Sequence, residues 1–213
     1  MDDGRIGVDE SGKGDYFGPL VIAACYVANY HYAELEGVAD SKKLTDKKAM
    51  ELERVIKKTC PYAVVSIGPA KYNELYAKIG NLNRLLEWGH AQAIANVLEK
   101  QEADLAISDQ FAKNTYGLQR QLTQKGIKLK LESRVRAESD MAVAAASILA
   151  RAEFLRRLER LGEEAGIALP KGAGPNVDAV AKKLGEAKGL GAMPQFAKMH
   201  FRTTEKVFGT LGI

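Results

Sequence analysis

Hydrophobic and polar positions alternate with two different periods along the chain. Arg5-Ile6-Gly7-Val8 is a short apolar stretch that ends at Asp9, and Tyr16 to Val27 is a longer one, rich in β-branched and aromatic residues. A glycine-bearing turn joins them, so the pattern predicts a hairpin with strands at 5–8 and 16–27. Residues 40–59 change to helical spacing, with Met50, Leu52, Val55 and Ile56 in register, Thr45 as the N-cap and Cys60-Pro61 as the stop. A strand follows at 62–68, and Pro69 starts a helical stretch containing Tyr72, Leu75, Tyr76 and Ile79. Asn83 to Lys100 predicts a long amphipathic helix. Leu105 to Ser108 reads as a short buried strand ending on Asp109, 114–125 as a helix, and Ile127 to Glu132 as an edge strand of alternating apolar and charged residues. Met141 to Leu161 is a helix, small at 142–146 and basic at Arg151, Arg156, Arg157 and Arg160. A loop at 172–174 and helices at 176–187 and 203–208 complete the chain. This order predicts an α/β fold: a mixed central β-sheet flanked by helices, with a helical C-terminal region from about residue 152.

Length adds one constraint: 213 residues suit a single domain over 1–213 with a sizeable core. With 46% hydrophobic and 27% charged residues, neither disorder nor a fibrous repeat is indicated. No apolar run approaches a bilayer's thickness, and residues 1–15 lack the order of a secretory signal, so a cytoplasmic protein without a membrane partner is expected; a monomer is the further expectation. Cys25 and Cys60 have no metal-site spacing and are read as reduced packing residues. The net charge of +4 is uneven: residues 151–213 hold 11 Lys and Arg against 7 Asp and Glu, leaving 20 of each for residues 1–150. A basic last third suits a polyanion, and equally a solvated helical surface.

Gly7-Val-Asp-Glu-Ser-Gly-Lys-Gly14 matches the phosphate-loop pattern G-x-x-x-x-G-K-[ST] except at its end. Gly14 stands where a hydroxyl should bind magnesium, Asp9 and Glu10 would repel a bound anion, and the following residues read as strand rather than helix. A nucleotide cradle is therefore disfavoured. The acids suggest a different chemistry. Asp9 and Glu10 close the first strand, Asp109 closes a later one, and Glu138 precedes the small-residue helix, with Asp140 a weaker candidate two residues on. Converging carboxylates are costly without cations, and hard oxygen donors lacking His or Cys favour Mg2+ or Mn2+. Two such ions about 3.5–4 Å apart support in-line phosphodiester displacement. Acids at strand ends also serve as helix caps or solvated loop residues, and the pattern alone leaves both readings open. Of the histidines, His31 falls in a polar turn, His90 reads as a packed helix residue, and His200 as a substrate-side candidate.

Residues 7–19, G-V-D-E-S-G-K-G-D-Y-F-G-P, resemble the signature of ribonuclease HIII, the type 3 branch of prokaryotic ribonuclease H; type 2 enzymes usually show Asp-Glu-Ala-Gly-Arg-Gly. The resemblance continues through D40-S-K-K-L44, N81-L-N-R-L-L-E-W-G-H-A91, D109-Q-F-A112, R136-A-E-S-D-M-A-V-A-A-A-S-I-L-A-R151, L169-P-K-G-A-G174 and H200-F-R-T-T-E-K206. It implies a ribonuclease H-like fold, two divalent ions and hydrolysis of the RNA strand of an RNA/DNA hybrid to 5′-phosphate and 3′-hydroxyl ends. It further implies that Asp9, Glu10, Asp109 and Glu138 form the catalytic and metal-binding set, with Asp9 shared between the ions. Ser11, Gly12, Lys13, Gly14, Lys42, Lys43, Asn83, Ser147 and Lys171 resemble positions near substrate. Glycines let the backbone approach the strand, and N–H groups there can sense the 2′-hydroxyl. For Gly12 and Gly14 a plain turn is the simpler alternative, and for the lysines and Asn83 a solvated side chain or loop cap.

Type 3 enzymes usually carry an N-terminal extension resembling a TATA-binding-protein domain, whereas Met1–Arg5 alone precede the first strand here. Weaker, more salt-sensitive substrate binding is then expected. Two alternatives stand beside this reading: a type 2-like enzyme that cuts at single ribonucleotides in duplex DNA, and a hybrid-binding protein without turnover.

Overall fold

The computed structural model describes residues 4–38, 44–109 and 115–209. They gather into two compact units: residues through Ser11 with Val21–Val65 and Asn81–Ala152, and Gly12–Leu20 with Ser66–Gly80 and the chain from Glu153 onward.

The first unit is built on a sheet. β1 (Arg5–Ser11) pairs antiparallel with β2 (Leu20–Val27) from Arg5↔Val27 to Ser11↔Val21, and parallel with β4 (Leu105–Asp109), which pairs parallel with β5 (Lys130–Arg134). With β3 (Tyr62–Ile67) the order is β3-β2-β1-β4-β5, the mixed sheet expected. β2 is buried at every position, so its sequence runs apolar without alternation. The sheet's helices are α1 (Asp46–Thr59), α3 (Leu82–Leu98), α4 (Tyr116–Gln124) and the first half of α5 (Met141–Ala165). Thr45 caps α1 by accepting from Lys48 N at 3.2 Å, and Cys60 ends it, as the sequence predicts. Cys25 and Cys60 are buried free thiols.

The second unit holds α2 (Pro69–Ile79), the distal half of α5, α6 (Pro175–Lys188), a 3-10 turn at Leu190–Gln195 and α7 (Arg202–Phe208). Tyr16 is at its centre, edge-on to Phe17 and Phe201, its phenol oxygen 3.2 Å from Thr204 Oγ1.

Several expectations shift. The second strand starts at Leu20 rather than Tyr16, because Gly18 turns at φ 83° and Pro19 has no N–H for a ladder. Phe17 instead bridges Ala197. The edge strand lies at Lys130–Arg134, not 127–132: Ile127 N is spent on Leu122 O at the end of α4, and pairing begins only where Lys130 N reaches Asp104 O. α5 runs four residues past the expected end, and the Leu190–Gln195 turn was not legible in the periodicity. His31 lies in the 3-10 turn Asn29–His31, where it is buried, its Nδ1 accepting from Ala28 N at 3.0 Å. The segment 40–43 of the expected first helix lies outside the described residues.

Candidate active site

β1 carries the candidate chemistry, and its pleat sorts it. Gly7 and Asp9 face one side of the sheet, Val8 and Glu10 the other. On the Gly7 side α5 lies directly against the strand: a Cβ at Gly7 would stand 2.0 Å from the carbonyl carbon of Ala142 and 2.1 Å from Val143 N. The small residues 142–146 permit this approach, and all five are buried. Further along the same face Asp9 accepts a hydrogen bond from the Ser147 hydroxyl of α5. Its Oδ1 also accepts from Glu10 N at 2.8 Å.

On the opposite face α3 packs against β2. A Cβ at Gly89 would fall 2.7 Å from Cδ1 of Ile22, the cross-strand partner of Glu10. The next residue, His90, is fully buried; its Nε2 lies 3.0 Å from Glu10 Oε2 and its Nδ1 3.3 Å from Ser108 Oγ. The Ser108 hydroxyl donates to the Asp109 carbonyl at 2.9 Å, so its oxygen is the atom that faces His90 Nδ1. Ser108 pairs with Val8 in the parallel ladder, so it shares the Glu10 face, and Asp109 after it shares the Asp9 face.

Asp109 Oδ1 accepts from Ala137 N at 3.1 Å. That bond ties the strand end to the 3-10 turn Ala137–Ser139, which bears Glu138 with its Oε2 buried. Arg136, at the entry to the turn, has φ 56°, a left-handed conformation uncommon outside glycine. Burial first, then the charge of Glu10, push the Asp9 carboxyl up to about 8; Asp109 adds to the push, while the bonds from Glu10 N and Ser147 oppose it. Among the described residues no three His, Cys, Asp or Glu side chains are gathered tightly enough to cage a cation. The carboxylates of Glu10 and Asp109 nevertheless act on Asp9 through their charge, and Glu10 Oε2 is held 3.0 Å from His90 Nε2.

The other candidates fall into place by unit. Asp140 is used structurally: its Oδ1 accepts from Ala142 N at 2.9 Å at the start of α5, and its Oδ2 from Arg5 Nε at 2.6 Å. Asp140→Ala should therefore lower stability by about 1–2 kcal/mol in urea unfolding, through the lost cap and the lost ion pair with Arg5. Ser11 ends β1. Asn83 is exposed on α3, whose cap is Asn81, accepting from Arg84 N at 3.2 Å. Lys42 and Lys43 lie outside the described residues. In the second unit Gly12 turns at φ 88°, where a Cβ would strike Pro19 O at 2.2 Å; Asp15 N closes the turn on Gly12 O at 3.3 Å. Lys171 is exposed in the loop before α6, and that loop is stitched to the turn: Gly172 N donates to Asp15 Oδ1 at 2.6 Å and Tyr16 N to Gly172 O at 2.9 Å. His200 stacks on Tyr76, ring centroids 4.1 Å apart.

Sequence reasoning treated His90 as packing only. The structure adds a bond to Glu10 that links residues 80 positions apart, for which no local signal exists. His90→Leu should lower stability by about 1–3 kcal/mol in urea unfolding, since it takes this partner from the partly buried Glu10 Oε2.

The sequence model of the ribonuclease HII family matches residues 6–204. The chain belongs to the ribonuclease HII family. Within it the chain is of the ribonuclease HIII kind: ribonuclease HIII of Chlamydia pneumoniae is 45% identical over 207 residues, 95% of this chain and 70% of that protein. Ribonuclease HIII of Protochlamydia amoebophila is 44% identical over 210 residues, 98% of this chain and 69% of that one. Among solved structures, Bst-RNase HIII in complex with Mn2+ superposes with a TM-score of 0.89 at 34% identity, covering 96% of this chain and 68% of that one. The RNase HII of Archaeoglobus fulgidus, solved with PCNA, superposes at 0.78 with 27% identity over 98% of both chains. The ribonuclease H-like fold and the ribonuclease H class of enzyme are those the sequence motifs imply.

Proposed function

We propose that this ribonuclease H is a divalent-metal-dependent endonuclease that cuts the RNA strand of RNA/DNA hybrids, leaving 5′-phosphate and 3′-hydroxyl ends. The observation that carries the reading is the Asp9 carboxyl, buried beside Glu10 and Asp109 at the end of β1 and pushed up to about 8. An all-oxygen donor set with an excess of negative charge fits a hard divalent cation, which would relieve the repulsion that raises Asp9. Asp9, Glu10, Asp109 and Glu138 would hold two Mg2+ or Mn2+ ions, with Asp9 shared. Such a pair supplies an activated water and stabilises the leaving oxygen. The chain's own groups do the rest: His90 orients Glu10, Ser147 orients Asp9, and Ala137 N orients Asp109.

The Gly12–Asp15 turn and the Lys171 loop take the substrate in this reading. Gly12 is required by the turn itself, whereas a Cβ at the exposed Gly14 would meet nothing within 4 Å, so its backbone is open to close approach by a nucleic-acid strand. Lys13 and Lys171 would contact phosphates, and Ser11, Asn83, Lys42 and Lys43 are further substrate candidates by motif. We read residues 1–213 as one catalytic domain acting as a monomer; among the described residues no helix is long and apolar enough to cross a membrane.

The test compares a continuous RNA/DNA hybrid with a DNA duplex containing one ribonucleotide, in Mg2+ and in Mn2+. Faster cutting of the continuous hybrid is expected, and preferential cutting at the single ribonucleotide would move the chain to type 2 specificity. Binding of the hybrid with no product in either metal would leave only a hybrid-binding role.

A further inference from the structure

Lys198 is an unusual residue to find in a protein interior. It is fully buried, and neither of the groups its ammonium bonds is a carboxylate: Nζ donates to the backbone carbonyls of Asp15 at 2.7 Å and Gly18 at 2.8 Å, and it lies 5.7 Å from the centre of the Tyr72 ring. Among the described residues it forms no ion pair, although the charge of Asp15 acts on it, and a lysine buried in this way is costly compared with an apolar side chain of the same length. Burial accordingly pulls its pKa down to about 7.

What Lys198 holds is the foot of the Gly12–Asp15 turn. Asp15 is bonded from three directions: its N–H closes the turn on Gly12 O, its carbonyl accepts from Lys198, and its Oδ1 accepts from Gly172 N. Around this hub Lys198 N donates to Tyr16 O at 2.8 Å and Gly18 N to Phe196 O at 3.0 Å, fastening the rest of the 12–18 segment to the same stretch of chain. The turn that bears Lys13 and the loop that bears Lys171 are therefore set in one frame through Asp15 and Lys198.

We propose that Lys198, acting through Asp15, is a positioning residue for hybrid binding, which holds the Gly12–Asp15 turn and the Lys171 loop in the spacing that lets both reach phosphates of one strand. This rests on the substrate role given above to that turn and loop.

Lys198→Met keeps the length and apolar stem and removes the donors. Its hybrid affinity, measured by fluorescence anisotropy across a salt series with Ca2+ replacing Mg2+ to block turnover, should weaken at least tenfold. The slope of log Kd against log salt should become shallower by about one, because a phosphate contact is lost. Turnover at saturating hybrid in Mg2+ should stay within threefold. Asn73→Ala is the comparison. Asn73 donates to Ala197 O and accepts from Met199 N, at 2.8 and 2.9 Å, so its loss destabilises the second unit while both Lys198 Nζ bonds and the bonds of Asp15 stay in place. That variant should melt lower and keep the wild-type Kd and slope.

If Lys198→Met folds and binds with unchanged Kd and slope, or if Asn73→Ala loses affinity equally, the positioning role is wrong and Lys198 only stabilises the fold. Should Lys198→Met not fold, Asp15→Ala decides by the same two readings, since it removes the bond to Gly172 and leaves Lys198 in place. Failure of the wild-type protein to bind hybrid at all would instead overturn the substrate reading itself.

Discussion

Asp9→Asn should abolish hydrolysis of an RNA/DNA hybrid, by about a thousandfold or more at saturating Mg2+, while the protein remains folded. The substitution preserves shape, and an amide oxygen at Oδ1 can still accept from Glu10 N. What it removes is the charge that Glu10 and Asp109 oppose. Folding raises the Asp9 pKa from 3.8 to about 8, so the folded state favours the protonated acid. The stability tied to that proton is fully present below about pH 4 and is lost as pH rises through about 8. In chelator, therefore, wild-type melting temperature should fall between about pH 5 and pH 8, and Asp9→Asn should show less of that fall and be the more stable of the two at about pH 8. Activity and metal-free stability move in opposite directions, which a merely structural acid would not do. Hydrolysis within tenfold of wild type would remove Asp9 from the reaction.

The second large effect is on folding. Gly7→Ala should destabilise the protein by about 3 kcal/mol or prevent folding, read from urea unfolding. The added carbon would stand 2.0–2.3 Å from the backbone of Ala142 and Val143, atoms that cannot swing aside as a side-chain end can. Relief requires α5 to lift from β1, which uncovers the buried face at 142–146 and draws Ser147 away from Asp9. Gly14→Ala, placed where nothing lies within 4 Å, should change stability by less than about 0.5 kcal/mol. The contrast separates a glycine that the packing requires from one that it does not.

The frame of this protein was legible where local chemistry decides it. The hydroxyl of Thr45 and the fixed ring of Pro69 mark helix starts that the structure keeps, and apolar Leu105 to Ser108 marks a buried strand with Asp109 at its end. The run 127–132 misled because alternation reports a half-buried surface, whereas the start of β5 depends on Lys130 meeting Asp104 across the sheet. In the candidate site the acids and the Gly12 turn could be picked out from motif and chain position. Their support could not: His90 meets Glu10, Ser147 meets Asp9 and Lys198 meets Asp15 across separations of 80 residues or more, and each supporting residue sits in a helix or loop whose local pattern reads equally well as packing. Asp140 shows the converse. It lies two residues from Glu138 in a motif-rich stretch, yet its oxygens are taken by Arg5 and the first turn of α5.

The central claim, metal-dependent cutting of RNA within a hybrid, is tested most directly by incubating a hybrid labelled at the 5′ end of each strand with wild-type protein in chelator, in Mg2+ and in Mn2+. The account predicts internal cuts in the RNA strand alone, with at least one of the two ions and none in chelator, and with 3′-hydroxyl ends that a polymerase extends. Cutting of the DNA strand, equal cutting in chelator, or an uncut hybrid in both metals would contradict it.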